Sequence, residues 1–238
     1  MFQYTPNSPI VLKKIRLHIP ENKITAIVGE SGSGKSTLLK LLVRLYKPTY
    51  SDIKMDGMNV NAINLRQWRE LCGVVMQDGK LFSDTIINNI VLDDEHIDYD
   101  RLHECCRIAQ IEEEINAMSK GYDTLIGETG RGLSGGQKQR LLIARALYRN
   151  PTYLFLDEAT NSLDTINERK IVEALNQAFA KRTVVVVAHR LSTIRNADQI
   201  VVMHQGGIVE IGRHEGLMAH KGFYYNLVAS QEKVGTGN

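Results

Sequence analysis

Three short stretches of the chain stay apolar or β-branched through nearly every position instead of alternating: Ile24 to Val28, Tyr153 to Leu156 and Thr183 to Ala188. Runs this short cannot supply the repeated apolar face of an amphipathic helix, and continuous apolarity leaves no wet side for a half-exposed strand. They are expected to be central strands covered on both faces, as in parallel sheets. Between and after them the period lengthens to that of a helix, over Ser36–Leu45, over Gln137–Tyr148 with Asn150-Pro151 as its stop, and over Glu168–Ala180. Strands alternating with helices imply an α/β fold with parallel pairing. From about Asp93 to Met118 the chain turns charged and helix-periodic, with Leu102, Cys105, Cys106 and Ala109 on one face and the loops "LDDEHIDYD" and "SKGYDTLIGETGRG" on either side. The expectation is an α/β core over residues 1–92 and 137–238 with a helical subdomain inserted at about 93–136. There is no internal repeat and no low-complexity segment.

Each expected central strand runs into chemically active residues, the place where ligands sit in open α/β sheets. The first leads into Gly29, Glu30, Ser31, Gly32, Ser33, Gly34, Lys35, Ser36 and Thr37, the sequence "GESGSGKST". This fits the phosphate-loop pattern G-x-x-x-x-G-K-[ST] between a strand and a helix. Backbone N–H groups would surround phosphate oxygens, Lys35 would add positive charge, and the Ser36 hydroxyl would face Mg²⁺. The second leads into Asp157 and Glu158, two adjacent carboxylates that can divide metal holding from proton acceptance. On their own such acids read equally well as a solvated turn. The third ends at His189, a surface histidine by itself and a γ-phosphate contact in this company. Gln77 follows the strand-like "GVVM", where its amide can reach metal or water. Tyr4, in the strand-like opening "FQY", suits either base stacking or the core.

Composition changes this picture mainly by exclusion. Lys+Arg total 29 against Asp+Glu 27, a formal charge of +2, which gives no broad basic field for nucleic acid. Phosphate binding must come from local geometry. No apolar run approaches the ~18 residues of a membrane span. Cys72, Cys105 and Cys106 lack metal or redox spacing and read as reduced thiols, and the histidines outside position 189 lack the compact spacing of a transition-metal site. The immediate strand-like start suggests a domain cut from a longer polypeptide.

A second glycine-rich helix start, "LSGGQKQR" with Ser134, Gly135, Gly136 and Gln137, makes the set specific. In order, the phosphate loop, a glutamine after a strand, LSGGQ, the strand-borne acid pair, "SLD" with Asp164, and the strand-end histidine resemble the nucleotide-binding domain of ATP-binding cassette (ABC) transporters along essentially the whole chain. The resemblance implies a P-loop NTPase core with a mainly parallel sheet, an N-terminal antiparallel β portion and the inserted helical subdomain. It implies ATP and Mg²⁺ as ligands, with Tyr4 stacking on adenine and Gly29 to Thr37 holding the phosphates. Ser36, Gln77 and Asp157 would belong to the metal shell, and Glu158, His189, Lys35 and Gln77 would be catalytic. It also implies that Ser134 to Gln137 and Asp164 complete the site of a second copy of the domain.

"QDGKLFSDTIINNI" and "GETGRGLSGGQ" look exporter-like, and "GYDTLIGE" with "ARALYRNP" is most similar to peptide and bacteriocin exporters. The implied setting is the cytoplasmic face of a cell membrane, beneath transmembrane domains outside this chain. Two other readings are a cassette ATPase clamping nucleic acid, which needs a coiled-coil insertion or a basic face, and a P-loop kinase or GTPase, which needs an acceptor site or N-K-x-D. None of these features is visible in the sequence.

Overall fold

A computed structural model describes residues 1–92, 96–127, 132–158, 179, 182–188 and 194–235. Along the chain the strands and helices are β1 (Ile24–Gly29), α1 (Lys35–Leu42), β2 (Lys54–Met55), β3 (Met58–Asn59), α2 (Leu65–Leu71), β4 (Cys72–Val75), β5 (Asp84–Thr85) and α3 (Ile86–Val91). Next come α4 (Tyr99–Ile108), α5 (Glu112–Asn116), β6 (Leu125–Ile126), α6 (Gly135–Tyr148), β7 (Tyr153–Asp157), β8 (Thr183–Val187), β9 (Gln199–His204) and β10 (Gly207–Gly212). Helices α7 (His214–His220) and α8 (Phe223–Gly235) follow. The helix expected over 168–180 lies, apart from Phe179, outside the described residues, and so do Asp164 and His189. No helix among the described residues is long and apolar enough to cross a membrane.

The chain forms two compact units, one from Met1–Arg69 with Thr183–Asn238 and the other from Glu70–Arg182. In the first, the strands lie in the order β10-β9-β1-β8, with β1 parallel to both neighbours and β10 antiparallel to β9. Continuous apolarity explains the arrangement: β8 is buried at every position and β1 at all but its first. The hairpin of β2 and β3 and an antiparallel bridge between Phe2 and Leu12 lie in the N-terminal part. Helix α1 turns Leu38, Leu39 and Leu41 into the core and stops short of the expected Leu45, because Arg44 takes a left-handed φ of 58°. Trp68 on α2 is buried.

In the second unit β4 and β7 pair in parallel. Helix α6 packs against β4, α3 and α4. Leu102, Cys105, Cys106 and Ala109 are all fully buried, so the periodic face read from the charged segment is an inward one. Asp98 caps α4 by accepting from the Arg101 backbone N–H at 2.9 Å. At the far end of α6, the Arg101 guanidinium donates to the carbonyls of Leu147 and Tyr148 at 2.7 and 3.3 Å, satisfying acceptors that a helix terminus leaves open.

Candidate functional site

In the first unit the strand-to-helix turn is built from backbone geometry that only glycine adopts easily. Gly34, just before α1, has φ of 100°, and Gly32 has φ of 77°. A Cβ at Gly29 would sit 2.2 Å from the Met203 carbonyl oxygen, so the end of β1 lies against β9 too closely for any side chain. The Lys35 side chain is buried and folds back over the loop, its Nζ donating to the carbonyls of Gly29 at 2.9 Å and Glu30 at 2.8 Å. The buried Ser33 hydroxyl has no hydrogen-bond partner. Thr37 is buried one turn into α1, and its hydroxyl meets the Tyr4 hydroxyl at 2.8 Å.

Tyr4 itself is 43% exposed, so it is not a core residue. Phe2 and Tyr46 meet it edge-on, with ring centroids at 5.0 and 5.2 Å. Its ring is thus held by two aromatic neighbours and by the Thr37 bond at its tip.

In the second unit β7 delivers Asp157, only 2% exposed, and then Glu158, whose backbone turns to a left-handed φ of 54°. A non-glycine residue at positive φ is strained by roughly 1–3 kcal/mol, and such residues collect at functional positions. The Gln77 side chain, just beyond β4, donates from Nε2 to Glu158 Oε2 at 3.1 Å. The parallel register of Val75 with Leu156 places the ends of these two strands level, which is why a glutamine and a glutamate 81 positions apart meet.

Helix α6 begins at Gly135 in place of the expected Gln137. A reciprocal capping box sets this start: Ser134 Oγ accepts from the Gln137 backbone N–H at 3.1 Å, and Gln137 Oε1 accepts from the Ser134 backbone N–H at 2.9 Å. Gln137 Nε2 in turn donates to Glu114 Oε2 at 2.8 Å. The segment after Gln77 is pinned by Asn89, fully buried in α3, whose Oδ1 accepts from Phe82 N at 2.8 Å and whose Nδ2 donates to the Phe82 and Thr85 carbonyls. Arg145 donates to both the carbonyl and the side chain of Asn89. The sequence reading missed Glu114, Asn89 and Arg145. The one available signal was a pair of asparagines inside the otherwise apolar "IINNIV".

The structure therefore brings together Tyr4 with Thr37, Lys35 with its own loop, Gln77 with Glu158, and Ser134 with Gln137. Residues 12–161 match the family described as ABC transporter. The chain is 46% identical over 224 residues to Multidrug resistance protein 1 of Entamoeba histolytica, covering 93% of this chain and 17% of that protein. It is 43% identical over 227 residues to the Toxin RTX-I translocation ATP-binding protein of Actinobacillus pleuropneumoniae, covering 95% and 32%. A solved structure of a bacterial Atm1-family ABC exporter with ATP bound superposes with a TM-score of 0.92 at 38% identity, over 97% of this chain and 41% of that one. The chain thus spans well under half the length of these relatives. A phosphate loop and a capped LSGGQ helix within a fold shared at that level leave one assignment: the chain belongs to the ABC transporter family, as an ATP-binding cassette ATPase domain.

Proposed function

We propose that this chain powers export by closing and opening as a pair around two ATP molecules. The observation that carries the reading is the phosphate cradle: a glycine turn at a helix N-terminus, beside a buried lysine ammonium, enclosing the partnerless buried hydroxyl of Ser33. Such a turn offers N–H donors and positive potential to an anion. A triphosphate would satisfy Ser33 and replace the loop carbonyls around Lys35. Adenine would stack on the exposed part of the Tyr4 ring.

Ser36, Asp157 and Gln77 each carry a side-chain oxygen, the donor type a hard cation takes. They fit Mg²⁺, which would supply charge stabilisation to the phosphates. Glu158 is the general base: its carboxylate accepts a proton from the water that attacks the γ-phosphorus, while the Gln77 amide holds that carboxylate in place. His189 and Asp164 are proposed as the γ-phosphate contact and the cross-subunit aspartate.

Ser134, Gly135, Gly136 and Gln137 present the start of α6 to the nucleotide of a second copy, so neither site is complete alone. A ligand that binds only the joined state drives joining, and its hydrolysis releases it. The relatives named for multidrug resistance and toxin translocation support an export role. The proposed setting is the cytoplasmic face of a membrane, under transmembrane domains, with residues about 93–136 as the helical subdomain and a peptide or similar cargo.

ATP turnover by Glu158→Gln tests the catalytic assignment. Loss of the base is expected to lower it on the order of 10²–10⁴-fold with nucleotide affinity retained, and unchanged turnover overturns the role of Glu158. Ser134→Arg is expected to abolish ATP-dependent pairing, measured by light scattering, while the single chain still binds ATP.

A further inference from the structure

Glu114, on α5, belongs to none of the motifs above, yet both of its carboxylate oxygens are committed to the start of α6. Oε2 accepts from Gln137 Nε2 at 2.8 Å, and Oε1 pairs with the guanidinium of Arg140, a residue only 5% exposed. A carboxylate only accepts hydrogen bonds, so it dictates which end of the Gln137 amide faces it. The NH₂ group must point to Glu114, and the amide oxygen is thereby aimed at the Ser134 N–H, where it lies at 2.9 Å. Ser134 Oγ completes the circle on the Gln137 N–H. With the amide engaged at both ends, Gln137 acts through the turn it closes. Arg140 offsets the Glu114 charge, so the brace adds no net negative charge near an approaching triphosphate.

We propose that Glu114 is a positioning residue: it holds the Ser134–Gln137 turn in its nucleotide-receiving form before a partner arrives. The proposal rests on the paired reading above. Its partner is a second copy of this chain, met through that copy's bound ATP.

The test uses the 238-residue chain. Hydrogen exchange at the Ser134 and Gln137 amides is followed without nucleotide, and ATP-driven pairing is measured in a Glu158→Gln background. Glu114→Gln leaves one acceptor oxygen for two donors: the charged Arg140 guanidinium takes it, and the introduced NH₂ then faces the NH₂ of Gln137. Exchange at both amides is expected to speed up about tenfold, and pairing to weaken on the order of 10²-fold because a pair uses two such turns. ATP affinity of the unpaired chain is expected to stay unchanged. Gln137→Glu sets two carboxylates against each other and should also impair pairing. Combined with Glu114→Gln it should recover, because the introduced amide donates to the introduced carboxylate while the latter still accepts from Ser134.

Unaltered exchange, unaltered pairing despite faster exchange, or a double variant no better than Gln137→Glu alone each overturns the proposal. Glu114→Asp, shorter by one methylene, replaces Glu114→Gln if that variant does not fold. It should shift both readouts in the same direction, and no shift has the same force against the proposal. Ser134→Arg separates the two claims: persistent pairing there sinks the paired reading itself, while amide exchange still judges Glu114.

Discussion

Two glycines of one loop are required for different reasons, and substitution should tell them apart. A Cβ at Gly29 meets a backbone carbonyl at 2.2 Å, whereas Gly32 faces open space and is special only in its φ of 77°. Gly32→Ala is expected to cost about 1–2 kcal/mol, the price of a left-handed alanine. Gly29→Ala must displace β9 and is expected to cost more, about 2–3 kcal/mol. Urea denaturation of the two variants checks the order. The loop could be read from sequence because backbone need is written directly into residue type. Glu114 could not, because its meaning lies in Gln137 and Arg140, which only the folding of α5 against α6 brings within reach. The strain at Glu158 was equally hidden, since glutamate gives no local sign of positive φ.

Among the elements, the apolar runs foretold β1, β7 and β8 to within a residue at either end, because continuous burial leaves an unambiguous pattern. Periodicity placed the body of α6 but not its start: Gly135 and Gly136 are poor helix formers, and the capping box of Ser134 and Gln137 overrides that preference. The hairpin of β9 and β10 went unread, although β9 lines β1 along its length. Helix α3 carries a sharper prediction. Asn89→Leu keeps the branched shape but strands the Phe82 N–H and part of the Arg145 fork and takes a donor from the carbonyls of Phe82, Asp84 and Thr85. It is expected to destabilise the chain by about 1–3 kcal/mol and to lower ATP turnover, because the segment after Gln77 loses its anchor. Thermal melting and turnover on the same sample check both effects.

For the molecule as a whole, acid–base chemistry and ligand binding shift the stability. Burial pushes the thiols of Cys72 and Cys106 up to about 12 and that of Cys105 up to about 11, from an ordinary value of 9.0. The folded state therefore holds these protons more tightly than the unfolded state. Their contribution is fully present below about pH 9 and is lost as pH rises toward 12. Urea midpoints should fall between pH 8.5 and pH 10.5, roughly the span in which unfolded thiols ionise, and the drop should shrink in a Cys72→Ala, Cys105→Ala, Cys106→Ala background. Mg-ATP at about a hundred times its dissociation constant is expected to add about 2.7 kcal/mol, checked by a shift in melting temperature that Lys35→Ala removes.

All three cysteines lie in the unit of Glu70–Arg182, whereas Trp68 is the sole tryptophan of the chain and lies in the other unit. Its buried indole sits on α2, the helix that runs across the division between the units, so its emission reports on that junction while thiol labelling reports from inside the second unit. Fluorescence and alkylation followed on one sample thus time the loosening of the junction against the exposure of the second unit's interior.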